Sequence, residues 1–205
     1  LSFIRAAREP IDPGTIVEQG RILLVPSISY VFDNSASWAF NPVSGSRYNA
    51  TLLASPKLGS GGVGFYSVIG DARHYVKLSK YGDYSIGLRI AGGASFGSNP
   101  QKFFVGGVEN WLNYTISRDE LPITEAEDFI FATPGYPLRG FDYNQRAGSK
   151  YALANCEFRF PLFQAIVSGP LPVLFQYVSG VAFVDAGTAW NDHVNLFATN
   201  KDGYV

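Results

Sequence analysis

Arg139 lies in Pro137-Leu138-Arg139-Gly140-Phe141. Two carboxylates downstream, Glu157 and Asp185, each interrupt a segment that otherwise alternates between apolar and small or polar residues. A guanidinium offers five donors in a planar fork and can serve two carboxylates at once. An unpaired carboxylate in a partly dry interior costs several kcal/mol or takes up a proton. Three chemistries fit these residue types. Arg139 can pair with both acids and anchor the loop that carries it. Alternatively, Arg139 caps a surface loop while Asp185 binds water. In the third, Glu157 and Asp185 form an acid and base pair, although nothing else in the chain resembles a sugar cleft. Other reactive constellations are missing. There is no Ser/His/Asp arrangement or nucleophile elbow. Gly59-Ser60-Gly61-Gly62 lacks the lysine and helix start of a phosphate loop. Cys156 stands alone, expected against lipid or a neighbouring side chain, and His74 and His193 are too far apart for a zinc site. His74 reads as a surface histidine. No catalytic residue, metal or cofactor is expected.

The elements that must position these residues alternate with period two. From Arg21 to Asp33, Ile22, Leu24, Ile28, Tyr30 and Phe32 share one face and Ser27, Ser29 and Asp33 the other, with Pro26 removing one ladder donor. Asn34 to Ser46 reads as a polar connection. Arg47 to Leu58, Val63 to Leu78, Tyr84 to Phe96, Tyr151 to Leu162 and Val173 to Trp190 read as further strands. Glu157 falls on the polar face with Asn155 and Arg159, and Asp185 is embedded in the last strand. Turns are marked by Gly59-Ser60-Gly61-Gly62, Tyr81-Gly82-Asp83 and Gly169-Pro170-Leu171-Pro172. Residues of about 98–148 carry no strand periodicity and hold Arg139, Gly140 and Phe141. Six such strands in succession make an antiparallel meander. Their length suits a tilted bilayer crossing of about 9–11 residues better than a soluble sandwich.

Composition agrees. Aromatics at 15%, 22 glycines and 16% charged residues suit an all-β protein with many tight turns. No run of about 18 apolar residues exists, which leaves barrel strands open because alternation dilutes their hydropathy. A net charge of −1 without a basic stripe gives no reason to expect nucleic acid as a partner.

Five pieces then recur in order: Asn41-Pro42-Val43-Ser44-Gly45-Ser46-Arg47, Phe103-Phe104-Val105-Gly106-Gly107, Leu138-Arg139-Gly140-Phe141, Glu157-Phe158-Arg159-Phe160-Pro161-Leu162 and Phe183-Val184-Asp185-Ala186-Gly187-Thr188-Ala189-Trp190. In this order and rough spacing the chain resembles the carboxyl-terminal barrel of the bacterial surface antigen family, the BamA-like outer-membrane barrels, over about residues 19–192. The segment Val108 to Tyr136, rich in acidic residues, departs from the family pattern and reads as a surface excursion. The resemblance implies a transmembrane antiparallel β-barrel of about sixteen strands, of which this chain supplies six or seven. Residues 1–205 are expected to be part of one barrel domain. POTRA or other periplasmic domains and the final strands are expected outside it. The long loop would be extracellular and folded inward, with the connections near Pro42, Tyr81 and Gly169 at the periplasm. Of the three chemistries, the resemblance favours the first: Arg139, Gly140 and Phe141 as the loop motif in the lumen, Glu157 and Asp185 as its acidic partners. It further implies a bacterial outer-membrane protein, not an enzyme, that assists insertion or translocation of other proteins. Expected partners are the bilayer, substrate outer-membrane or secreted proteins and accessory lipoproteins. A secretion pore for one partner, or an anchor for a separate periplasmic or surface domain, is the alternative.

Overall fold

The computed structural model describes residues 24–38, 41–58, 62–80, 84–107, 133–141, 145–168 and 173–194. These hold ten strands and no helix: β1 (Ser27–Asp33), β2 (Ala36–Trp38), β3 (Asn41–Ser55), β4 (Phe65–Lys77), β5 (Ser85–Gly97), β6 (Phe103–Val105), β7 (Thr133–Tyr136), β8 (Arg146–Gly148), β9 (Lys150–Ser168) and β10 (Val173–Trp190). The main sheet runs β1-β3-β4-β5-β9-β10, with β2 paired beside β3, and every pairing in it is antiparallel. Among the described residues it is an open wall with β1 and β10 at its edges. With 13 to 19 residues each, β3, β4, β5, β9 and β10 are long enough to cross a bilayer and project beyond it.

The two faces differ in chemistry because side chains alternate across a strand. One face carries Ile28, Tyr30, Leu52, Tyr66, Val68, Ile90 and Val184, all at least half exposed. Large apolar groups on an outward face have no aqueous rationale and match the lipid-facing band of a barrel. Cys156 is exposed on this face, and His74 Nδ1 shares a hydrogen bond of 2.8 Å with Ser46 Oγ there. The opposite, inner face carries Ser67, Asp71, Arg73, Arg89, Asn155, Glu157, Arg159 and Asp185.

The structure departs from the sequence reading in four places. Asn34 to Ser46 is not all connection: β2 lies within it, and β3 already begins at Asn41, pairing Pro42 with Ser37. The first strand begins at Ser27, with 24–26 outside it and 21–23 outside the described residues. At its other end β9 continues six residues past Leu162, through a register shift at Val178/Ser179 that breaks the alternation. Finally, the long loop is not without strands. Within it β6 pairs with β7 in parallel and with β8 antiparallel. The turns at 81–83 and 169–172, and residues 108–132 of the excursion, lie outside the described residues.

This small three-stranded sheet packs on the inner face of the wall. Phe103, Val105 and Leu138 from the loop are buried against Ala91 of β5, Tyr151 and Leu153 of β9 and Ala189 of β10. The rings of Tyr136 and Tyr151 stack with centroids 4.0 Å apart, and Phe103 lies against Tyr151 at 4.9 Å. The apolar contact carries the loop inward and brings Arg139 to the charged part of the wall.

Candidate functional site

Arg139 is held in place by backbone before it meets any carboxylate. Gly107 and Leu138 form a bridge in which Leu138 N–H donates to the Gly107 carbonyl at 3.0 Å, while Gly107 N–H donates to the Phe141 carbonyl at 3.2 Å. Gly106 N–H donates to the Tyr136 carbonyl at 3.0 Å. The segment Phe103 to Gly107 thus cradles the turn at 139–141. Gly140 follows the arginine with φ at +88°, a backbone state that strains any residue with a Cβ.

From that turn the guanidinium reaches two strands. Nε donates to Asp185 Oδ2 and Nη2 to Asp185 Oδ1, both at 2.7 Å, a two-pronged pairing. Nη1 donates to Glu157 Oε1 at 2.7 Å, and the Arg139 backbone N–H adds a bond of 3.2 Å to Asp185 Oδ2. The guanidinium carbon sits 3.8 Å from the centroid of the Phe183 ring, a cation–π contact. Hydrogen bonds donated to Asp185 above all, then to Glu157, raise the pKa of Arg139 beyond its already high ordinary value. It is charged at any working pH. The Asp185 side chain is 2% exposed, so its charge is compensated inside the protein and not by water.

Glu157 faces Arg139 with one oxygen and Arg159 with the other. Arg159 donates from Nη2 at 2.7 Å and from Nε at 3.1 Å to Glu157 Oε2. A second cluster lies beside this one on β4 and β5. Arg73 and Arg89 are directly opposed in the ladder, where like charges repel. Asp71 separates them, accepting from Arg73 Nε at 2.9 Å and from Arg89 Nε at 2.8 Å. Between the clusters is a cavity of about 300 Å³ bordered by Arg73, Tyr75, Arg89, Pro137, Arg139 and Arg159. Three guanidiniums and three carboxylates of the wall, with Arg139 from the loop, thus form two neighbouring clusters on the inner face.

Of the residues singled out from sequence, the structure brings Arg139, Glu157 and Asp185 together, with Gly140 as the turn that allows it. Phe141 participates through its carbonyl; the residue is 41% exposed, and the ring beneath the guanidinium belongs to Phe183. Sequence reasoning did not single out Arg159, Asp71, Arg73 and Arg89. The available signal was a charged pair two residues apart on one strand face, as in Asp71/Arg73 and Glu157/Arg159. Among the described residues no group of three or more His, Cys, Asp or Glu is placed to hold a metal ion.

A wall with an apolar outer face and a charged inner face, into which a loop folds, defines the class of transmembrane β-barrel proteins. The Omp85 superfamily domain matches residues 23–200, and the chain belongs to that superfamily. Among solved structures it is similar to the crystal structure of BamA from Haemophilus ducreyi lacking POTRA domains 1–3. Identity is 19% and the TM-score 0.56, over 90% of this chain and 33% of that one. The likeness is one of fold, and the chain spans about a third of the length of its neighbour. A search of curated proteins gives no match.

Proposed function

We propose that the protein assists insertion or translocation of other proteins at the bacterial outer membrane, without covalent catalysis, and that Arg139 is the latch holding the long loop in the lumen. The whole chain is assigned to one barrel domain, with the loop between β5 and β9 entering from the extracellular end. Substrates are outer-membrane or secreted proteins, with accessory lipoproteins as further partners. The observation that carries the reading is the reach of one loop guanidinium to carboxylates on two adjacent strands, Glu157 of β9 and Asp185 of β10. Such a contact fixes the loop to the wall and ties together two strands that an assembling or translocating barrel must keep in register. Membership of the Omp85 superfamily supports the same reading.

Depletion of the full-length protein tests it: the levels of many outer-membrane proteins are expected to fall, and complementation with Arg139→Ala is expected to restore them only in part. Loss of a single secreted protein would move the assignment to a dedicated pore. An intact envelope would move it to an anchor for another domain.

A further inference from the structure

The contacts that hold Glu157 continue past it. Arg159 uses Nε and Nη2 on Glu157 Oε2, while its Nη1 donates to the Pro42 carbonyl at 3.1 Å. Pro42 belongs to the start of β3, which has left β4 and pairs with β2 as a hairpin. Nearby, Asn41 Nδ2 donates to Ser179 Oγ of β10 at 3.4 Å, and Val43 is 6% exposed. The sheet order separates β3 from β9 by β4 and β5. At a strand spacing of about 4.8 Å, the wall distance from β3 is about 14 Å to β9 and about 19 Å to β10. A hairpin following the wall could not make these contacts. It must cross the inner side as a chord, and Gly45 is where it departs. Its φ is +93°, and a Cβ there would lie 2.5 Å from the Asn34 carbonyl oxygen.

Two segments thus close over the inner face: the loop carrying Arg139 between β5 and β9, and this hairpin from the opposite ends of the strands. They meet through one ion pair: Glu157 accepts from Arg139 of the loop, and Arg159, which holds Glu157, donates to Pro42 of the hairpin. We propose that Arg159 is a positioning residue that couples them. It orients Glu157 for Arg139 while seating the hairpin through Pro42, so that release of either closure loosens the other. The inference rests on Arg139 acting as the loop's latch. A guanidinium suits the task because its fork serves a carboxylate and a carbonyl in one geometry, which a lysine ammonium cannot do.

The test uses the full-length protein in outer-membrane vesicles, on a Cys156→Ala background, with Asn41→Cys combined with Ser179→Cys. Only barrel that retains heat-modifiable mobility is scored, so unfolded material does not count. A short bifunctional methanethiosulfonate is expected to bridge positions 41 and 179 efficiently. Arg159→Ala and Arg159→Lys are each expected to lower the yield several-fold, and Arg139→Ala to lower it by a smaller factor. No bridge in the parent, or an unchanged yield with Arg159→Ala, overturns the hairpin seat. An unchanged yield with Arg139→Ala overturns the coupling. Failure of the latch itself reads out separately, as full complementation by Arg139→Ala in depleted cells.

Discussion

Asp185 accepts three hydrogen bonds from Arg139, two from the guanidinium and one from the backbone, with its own side chain 2% exposed. Glu157 is 22% exposed and keeps Arg159 if Arg139 is lost. The two carboxylates are therefore unequal. Removing one partner of a buried ion pair leaves the other charge uncompensated and costs about 3–5 kcal/mol. Asp185→Asn is expected to approach the lower end of that range, and Glu157→Gln to fall well short of it. Thermal unfolding of the full-length barrel in detergent checks the order: equal losses would contradict it. Arg139→Lys is expected to behave nearly as Arg139→Ala, because a point charge cannot make the fork to Asp185 and reach Glu157 together. Full heat-modifiable stability in the lysine variant would show that charge alone suffices.

The elements hold the loop through apolar contact as much as through charge. Phe103 of β6 is fully buried against Tyr151. Phe103→Ala is expected to cost about 3–5 kcal/mol, as for other buried aromatics. It should expose the loop to limited proteolysis while the strands remain protected, and a protease-resistant loop would contradict the packing. Period two made β4, β5 and β10 legible almost to the residue, and it placed Glu157 and Arg159 on one face. It failed where backbone chemistry overrides pattern. Pro42 and Gly45 read as a turn, yet they open β3, because β2 supplies the partner and the kink needs a positive φ. The shift opposite Val178 and Ser179 ends the alternation of β9 early, although the strand continues. Strands of three residues, β6 and β8, are too short to show any period. The pairing of Asp71 with Arg73 and Arg89 was visible only as charges on polar faces, since contact across strands depends on register that one sequence does not contain.

For the whole molecule, the distribution of apolar and charged residues assigns one face to lipid and the other to a lumen. Ile90, at mid-length of β5, is 70% exposed on the outer face, whereas the neighbouring Arg89 is paired on the inner face. Ile90→Arg is expected to cost about 2–4 kcal/mol in folding into vesicles if that position lies near the bilayer midplane. Folding as efficient as in the parent would argue against lipid on this side. All of this depends on the loop being docked by Arg139, which brings the inner face, the two adjacent strands and the hairpin into one network. The most direct test is a double-mutant cycle in the full-length protein, measuring unfolding of Arg139→Ala, Asp185→Ala and the pair. The account predicts that each single change is nearly as damaging as both together, with an interaction energy of about 2–3 kcal/mol. Losses that simply add would contradict it.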